Sequence, residues 1–159
     1  MSGAIDRFLA AARELGLEPE VRRFPEGTKT AGDAARAIGC DVAQIVKSLV
    51  LTADGRPLLA LTSGAHRADT ARLAELTGSL EVRRASPEEA RAATGFAVGG
   101  TPPFGYPMRV LALCDRALLE HEVVWAAAGT PDSVFPLTPA DLLRCTGAEV
   151  ADFGESTRP

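Results

Sequence analysis

Apolar residues at the start of the chain recur every three or four positions, the spacing of one face of an amphipathic helix. These residues are Ile5, Phe8, Leu9, Ala12 and Leu15. Gly16 follows them directly, and glycine is common just after the end of a helix. We therefore predict a first helix that ends near residue 16, followed by a short strand around residues 20–24.

Four further helices are predicted from residues that favour helix starts and helix ends. Thr30, Ser86 and Thr138 each precede a helical pattern and can accept a hydrogen bond from its first turn. The helix without such a capping signal should begin near residue 68. The four predicted ends are Gly39, Gly78, Gly95 and Gly147. Asp41 should cap one additional turn.

The run IVKSLVLTADGRPLLALT contains two β-rich stretches around Asp54-Gly55, a strong hairpin signal. We place its strands near residues 46–53 and 57–62. Further strands are predicted in LEVRRA, MRVLALC, EVVWAAA, VFPL and EVADF, whereas SGAHRAD is predicted as a loop and ESTRP as a loose tail. Because helices and hairpins are interleaved, the pattern favours an α+β fold with helices around a mixed or barrel-like sheet.

The composition indicates one globular domain over residues 1–159, with 46% hydrophobic and 24% charged residues. No apolar run approaches the ~20 residues of a membrane span, so we expect a cytoplasmic protein without a membrane partner. The net charge of −4 and the pI near 5.2 argue against DNA as a partner. They also argue against a protein that coats nucleic acid by bulk electrostatics. Recognition of one RNA end in a local pocket stays compatible with this charge.

Three cysteines, Cys40, Cys114 and Cys145, are far apart and form no CxxC pair. We therefore expect buried free thiols, with neither a disulfide framework nor a metal site. His121 is expected to be a surface or capping residue, because no metal-binding spacing surrounds it. The sequence contains no P-loop and no dinucleotide fingerprint, so no cofactor is predicted.

Lysine is rare in this chain. Fifteen of the seventeen cationic residues are arginine, and the two lysines are Lys29 and Lys47. On its predicted strand, Lys47 shares a face with Leu49 and Leu51, whereas Ser48 lies on the other face. An ammonium group in this position must reach solvent, pair with a carboxylate or meet an anionic ligand. The strand pattern alone leaves these three interpretations open.

The segment GFAVGGTPPFGYP, residues 95–107, is rich in glycine and proline and poor in side chains that carry acid–base chemistry. Glycine allows a close approach of backbone to a ligand, and proline stiffens the chain. The N–H groups of Gly99, Gly100 and Thr101 could therefore point at a carbonyl or an oxyanion. The alternative is a plain surface connection.

Other polar clusters have simple structural interpretations. Ser63, His66 and Asp69 have the residue types of a catalytic triad, but their three-residue spacing is more typical of a turn and a helix start. The polar loop formed by Thr28, Lys29 and Thr30 is explained by helix capping. The pairs Arg22-Arg23 and Arg83-Arg84 could face a phosphate, although solvated strand faces explain them equally well.

The order of these features over residues 5–153 resembles the YbaK/ProX family of aminoacyl-tRNA deacylases. The segments that carry the resemblance are EGTKTAGDAARAIG, IVKSLVL, TGFAVGGTPPFG, VVWAAAG and LTPADLLRCTGAEVADF. The family is related to the editing insertion of bacterial prolyl-tRNA synthetase. The resemblance implies a twisted, barrel-like mixed sheet and a pocket that admits the 3′ end of a mischarged tRNA.

The resemblance also implies roles for individual residues. Lys47 matches the family's functional strand lysine, and Gly99 to Pro103 matches its GxxxP loop. We therefore expect Lys47, Gly99 and Gly100 to be catalytic. The expected substrate-binding residues are Thr28, Thr30, Ser48, Ser63, Thr101, Pro103 and Gly129. Pro102 departs from the pattern, because many members carry a small residue or serine there, and the effect of nearby Tyr106 on the pocket stays open.

The implied activity is hydrolysis of a small amino acid, such as alanine, cysteine, serine or threonine, from proline tRNA. Such chemistry needs a held carbonyl and a stabilised oxyanion but no protein nucleophile. A tRNA synthetase is a second candidate partner. The alternatives are a non-catalytic module that binds a tRNA end, a nucleotide or a protein, and a hydrolase that uses Ser63 or a cysteine. The sequence leaves the oligomeric state open.

Overall fold

The computed structural model describes residues 3–28 and 30–157. This part of the chain contains five α-helices: α1 Ala4–Glu14, α2 Ala31–Ile38, α3 Thr70–Thr77, α4 Pro87–Thr94 and α5 Pro139–Thr146. It also contains ten strands: β1 Arg22–Arg23, β2 Val46–Ala53, β3 Arg56–Ser63, β4 His66–Ala68, β5 Val82–Arg84, β6 Leu111–Asp115, β7 Val124–Ala127, β8 Ser133–Leu137, β9 Glu149–Ala151 and β10 Gly154–Ser156. Within the described residues, none of the helices has both the length and the apolar character needed to cross a membrane.

Local capping explains where the helices begin and end. The side chains of Thr30, Asp69, Ser86 and Thr138 each accept a hydrogen bond from a backbone N–H in the first turn of α2, α3, α4 and α5. The same four helices end at glycines with left-handed backbone, as predicted. Asp41 caps a short 3₁₀ turn, Val42–Gln44, and a second 3₁₀ turn covers Arg116–Glu120.

Two sheets form the centre of the molecule. The larger one has the strand order β5-β2-β3-β6-β9, with β2 antiparallel to β3 and β5, and β6 parallel to β3 and β9. The smaller antiparallel sheet has the order β1-β8-β7, and an isolated bridge between Ile45 and Trp125 connects the two sheets. The predicted α+β fold with a mixed, barrel-like sheet is confirmed, although the described strands do not close into a complete barrel.

The two segments predicted as a loop and a loose tail are paired strands instead. Strand β4 lies inside SGAHRAD, and β10 includes the first residues of ESTRP. They pair antiparallel, with Gly154 opposite Ala68 and Ser156 opposite His66. Each strand is only three residues long and polar, and its partner lies far away in the sequence. Local pattern therefore carries no signal for this pairing.

The glycine- and proline-rich segment is anchored in the main core. The ring of Phe104 lies 5.3 Å from the ring of Phe8 in α1, and Phe8 lies 4.6 Å from Phe135 in β8. Phe96, at the other end of the segment, is also fully buried. Because burial of a phenylalanine contributes about 2 kcal/mol, these rings hold both ends of the segment against the sheets.

One edge of β2 is only partly covered. Strand β2 pairs with β3 along its whole length but with β5 only over residues 51–53. At its other end, the bridge at Ile45 is the contact with the smaller sheet. No described strand therefore pairs with this edge of β2 between residues 46 and 50. The backbone of Lys47 and Ser48 lies in this gap.

Candidate functional site

A cavity of about 810 Å³ lies beside the uncovered edge of β2. Its walls come from β2, β4, β7, the first turns of α2 and α4, and the segment around Gly99. The predicted site residues that line it are Thr28, Thr30, Lys47, Ser48, Gly99 and Thr101. The structure thus brings the strand lysine and the glycine loop to one cavity, although more than fifty residues separate them.

Lys47 is half-buried in this cavity. Its ammonium Nζ donates a hydrogen bond to the carbonyl oxygen of His66. Burial lowers the pKa of Lys47, and the positive charges of Arg84 and Arg67 lower it further, while the negative charge of Asp115 opposes the shift. No carboxylate among the described residues lies within ion-pair distance of Lys47. Its cationic form is therefore poorly neutralised in the free protein.

The residue whose carbonyl accepts from Lys47, His66, is paired through its partly buried side chain with the buried Asp115. His66 Nδ1 lies 2.6 Å from Asp115 Oδ2, and Asp115 is only 3% exposed. The same oxygen accepts the N–H of Ser63 at 3.1 Å. A Cβ on Gly154 would lie 2.3 Å from His66 Nδ1, so only glycine leaves room for this pair. The sequence offered no signal for the pair, because its two members lie in different strands 49 residues apart.

Backbone conformation explains the first of the two adjacent glycines of the loop, and close backbone packing explains the second. Gly99 has φ +93°, a conformation that favours glycine. A Cβ on Gly100 would lie 2.7 Å from the Cα of Thr130. The N–H of Gly100 donates to the carbonyl of Ala97 at 3.1 Å and is therefore not available to a ligand. Among hydrogen bonds between described residues, none uses the N–H of Gly99 or Thr101. The predicted set of three free donors is reduced to two.

Tyr106 supports the loop from behind the cavity. Its hydroxyl donates to the carbonyl of Pro102 at 2.6 Å, and burial raises the pKa of its phenol. Tyr106 does not line the cavity, and neither does Pro103, which is buried. Pro102 therefore offers no N–H, its carbonyl accepts from Tyr106, and it is not among the residues that line the cavity. Tyr106 does not narrow the pocket.

The remaining predicted site residues have mixed placements. Thr28 donates its hydroxyl to the carbonyl of Pro131 at 2.6 Å, and Thr30 caps α2, while both line the cavity. The hydroxyl of Ser48 is buried without a hydrogen-bond partner among the described residues. Gly129, with φ +120°, lies away from the cavity against α1, where a Cβ would lie 2.8 Å from the carbonyl oxygen of Ala4. Lys29 lies outside the described residues.

Ser63 lies outside the cavity, contrary to its predicted role in substrate binding. It is fully buried, and its hydroxyl donates to the carbonyl of Ala43 at 2.9 Å. Asp69 caps α3, and His66 pairs with Asp115, so the residues of the apparent triad have separate structural roles. The prediction of a turn and a helix start is therefore correct only for Asp69, because Ser63 ends β3 and His66 begins β4.

The cysteines do not provide a reactive nucleophile. Cys114 is buried, whereas Cys40 and Cys145 are only partly buried, so the prediction of buried thiols is wrong for these two. Burial raises the pKa of all three thiols, that of Cys114 to about 12. Because the thiolate is the reactive form, all three are weak nucleophiles near neutral pH.

The cavity also has walls that sequence analysis did not identify. Trp125 in β7 and Thr157 after β10 line it, together with the exposed arginines Arg67 and Arg84. Arg84 belongs to an Arg-Arg pair for which a phosphate-facing role was one of two interpretations. Arg67 had no such signal, because β4 was predicted as a loop.

Fold and cavity together define an α+β protein whose candidate site is a basic cavity between a sheet edge and a backbone-rich loop. Residues 25–145 match the family model of the aminoacyl-tRNA editing domain. The chain belongs to the aminoacyl-tRNA editing domain family, and its resemblance to the YbaK/ProX type is confirmed.

Relatives are found among both free-standing proteins and synthetases. The chain is 30% identical to the uncharacterized protein YwhH of Bacillus subtilis (strain 168), over 79% of this chain and 80% of YwhH. It is 26% identical to the proline–tRNA ligase of Streptococcus thermophilus (strain ATCC BAA-491 / LMD-9), covering 94% of this chain but 24% of the ligase. The chain thus spans about a quarter of the length of that ligase.

Solved structures show the same fold. A protein described as a proposed trans-editing enzyme for prolyl tRNA synthetase superposes with a TM-score of 0.90 at 43% identity, covering 98% of this chain and 99% of that one. The hypothetical protein APE2540 superposes with a TM-score of 0.85 at 29% identity, covering 94% of this chain and 99% of that one.

Proposed function

We propose that the protein hydrolyses the ester bond between a wrongly attached small amino acid and its tRNA. The observation that carries this proposal is the single cavity lined by the Lys47 cation and by the loop residues Gly99 and Thr101. Proline tRNA is the proposed carrier. The proline–tRNA ligases among the relatives and the description of the solved neighbour as a trans-editing enzyme support this choice.

The proposed reaction is attack of a water molecule on the ester carbonyl carbon. The N–H groups of Gly99 and Thr101 donate to the carbonyl oxygen, whose negative charge grows in the tetrahedral intermediate. The bond to the ribose oxygen then breaks, and the proton lost by water reaches that oxygen, with a neighbouring ribose hydroxyl as the relay. Lys47 binds a phosphate of the terminal adenosine and adds positive charge beside the oxyanion.

Cavity size and lining support a small aminoacyl group. A volume of about 810 Å³ is within the range of about 300–1,000 Å³ for small-molecule sites, and it must hold the terminal adenosine as well. The apolar walls include Ile45, Trp125 and Val134. Since a synthetase discriminates poorly against smaller amino acids, a second site that admits only small ones removes the errors. Alanine, cysteine, serine and threonine are the proposed substrates.

We also propose that residues 1–159 form one domain that works in the cytoplasm. It would meet mischarged tRNA either alone or beside a tRNA synthetase. The fold supports the proposal of one domain, because one core cluster contains residues from α1, β3 and α5.

A deacylation panel tests this function. Proline tRNA charged with alanine, cysteine, serine, threonine or proline is incubated with the protein and with Lys47→Ala. We expect hydrolysis of at least one small aminoacyl ester, sparing of the prolyl ester, and a fall in kcat/KM of about a hundredfold or more in Lys47→Ala. Melting curves of both proteins control for folding.

Two results would contradict the proposal. Full activity in Lys47→Ala would remove the lysine from the mechanism, and hydrolysis of none of the esters would favour the non-catalytic binding module. Cys40→Ser serves as a matched control. Because a nucleophilic cysteine is not part of the mechanism, this variant should keep activity.

A further inference from the structure

The charged side chains that the structure describes in the cavity wall are all positive. Its charged residues are Lys47, Arg67 and Arg84, and no Asp or Glu is among the described residues that line it. The chain as a whole has 21 acidic and 17 basic residues. Even in an acidic protein, a concave surface with three cations and no carboxylate attracts anions.

Arg67 and Arg84 form no ion pair within the part of the chain that the structure describes, unlike six other arginines. Among the described residues, Arg23, Arg36, Arg72, Arg83, Arg116 and Arg144 each form an ion pair. Arg83 lies next to Arg84 in β5, and its guanidinium is 2.9 Å from Glu89. Arg84, on the opposite face of the same strand, has no ion pair within the described residues and lines the cavity. Arg83 and Arg84 thus allow a direct comparison between an ion-paired arginine outside the cavity and an arginine without an ion pair that lines it.

Strand register places the two arginines around Lys47. Arg84 lies opposite Leu51, so it shares a face of the sheet with Leu51 and, by alternation, with Lys47. Arg67 follows His66, whose carbonyl accepts from Lys47. Both arginines are exposed, whereas Lys47 is half-buried. The positive charge therefore extends from the interior of the cavity to its opening.

We propose that Arg67 and Arg84 bind the phosphodiester groups of the single-stranded tRNA 3′ end that precede the terminal nucleotide. A guanidinium matches a phosphate with two parallel hydrogen bonds, which a lysine cannot supply. Lys47 then binds the innermost phosphate, and Arg67 and Arg84 bind phosphates nearer the opening of the cavity. The inference rests on the proposed function, because that function identifies the ligand as a tRNA 3′ end.

The salt dependence of binding tests this inference. Affinity for a deacylated proline tRNA transcript is measured by fluorescence anisotropy between low and moderate KCl, for the parent protein and for Arg67→Ala and Arg84→Ala. Each variant should bind about fivefold more weakly at low salt. Each should also flatten the plot of log affinity against log salt by about 0.7, the contribution of one phosphate contact in a single strand.

Three variants serve as controls. Arg83→Ala removes the same charge from the same strand but outside the cavity, so it should leave the slope unchanged. Arg67→Lys and Arg84→Lys keep the charge and should recover most of the slope. Unchanged slopes in the two alanine variants, or an equal loss in Arg83→Ala, overturn the inference.

The outcome is separable from that of the proposed function, because the slope does not require hydrolysis. An arginine-dependent slope without deacylation rejects the proposed activity alone. Deacylation with unchanged slopes rejects the phosphate contacts alone. Competition adds a second readout: the trinucleotide CCA should displace the transcript better than adenosine does, and this advantage should shrink in Arg67→Ala and Arg84→Ala. Equal competition by CCA and adenosine in the parent protein also overturns the inference.

Discussion

Lys47 is the residue whose charge state matters most for the proposed reaction. It is half-buried, donates to a backbone carbonyl and faces two arginines. Desolvation and these like charges favour the neutral amine. An anionic phosphate would favour the ammonium form. Phosphate binding would therefore stabilise the charged form of Lys47.

This environment predicts an alkaline fall in activity. The lowered pKa of Lys47 means that the free protein loses this cation at a lower pH than an ordinary lysine would. Since the cationic form binds the phosphate, kcat/KM should decrease as pH rises through that pKa. Deacylation rates corrected for spontaneous ester hydrolysis measure this. Lys47→Arg, which stays charged, should show a lower rate without the alkaline fall. A parallel fall in both proteins would assign the titration to another group.

At the level of single residues, local pattern identifies only some members of the site. Lys47 was identified because a cation in an apolar strand is unusual. Arg67 and Arg84 are ordinary exposed arginines by pattern, and only the pairing of β5 with β2 and of β4 with β10 brings them to the cavity. The engaged N–H of Gly100 likewise depends on the turn conformation of the loop.

The two short strands β4 and β10 support the site at the level of secondary structure. Their pairing places the carbonyl of His66 toward Lys47 and brings Gly154 against the His66–Asp115 pair. This pairing connects the last described residues to the middle of the chain. Elements with local signals, such as capped helices and the Asp54-Gly55 hairpin, were predicted correctly. Strand β10 was not, because its register is set by a distant partner.

Gly154→Ala tests whether this support matters. The new methyl group would lie 2.3 Å from His66 Nδ1 and 2.8 Å from Asp115 Oδ2, so either the pair or β10 must move. We expect a loss of about 1–3 kcal/mol in the free energy of unfolding. We also expect a several-fold fall in kcat/KM, because the acceptor of Lys47 moves. Urea titration and the deacylation assay measure the two effects.

Gly78→Ala is the control for that variant. Gly78 has φ +68° at the end of α3, and no atom lies within 4 Å of the added Cβ. The substitution should therefore cost about 1 kcal/mol through backbone strain while activity stays unchanged. Parent-like stability and activity in Gly154→Ala would show that the pair tolerates the displacement and does not position Lys47.

At the scale of the whole molecule, each of two core clusters contains residues from distant segments of the chain. One cluster contains Phe8, Leu61 and Leu142, and a second contains Leu51, Leu113 and Phe153. Both clusters include residues of the hairpin β2–β3. This arrangement explains why the overall fold class was predictable from element order, whereas the position of the cavity depended on packing between elements.

Shared hairpin packing predicts that the described segments unfold together. We expect one thermal transition, with a calorimetric enthalpy equal to the van't Hoff enthalpy. Differential scanning calorimetry and far-UV circular dichroism measure the two quantities. Two resolved transitions, or a calorimetric enthalpy well above the van't Hoff value, would contradict the proposal of one domain.

The wall formed by Trp125 has a practical consequence. Trp125 is the chain's single tryptophan, it is 9% exposed, and the guanidinium of Arg22 stacks 4.9 Å from the centre of its ring. Its emission therefore comes from one known place in the wall of the cavity. The proposed binding and release of an RNA end should therefore be measurable in real time by stopped-flow fluorescence, without attaching a dye to either molecule.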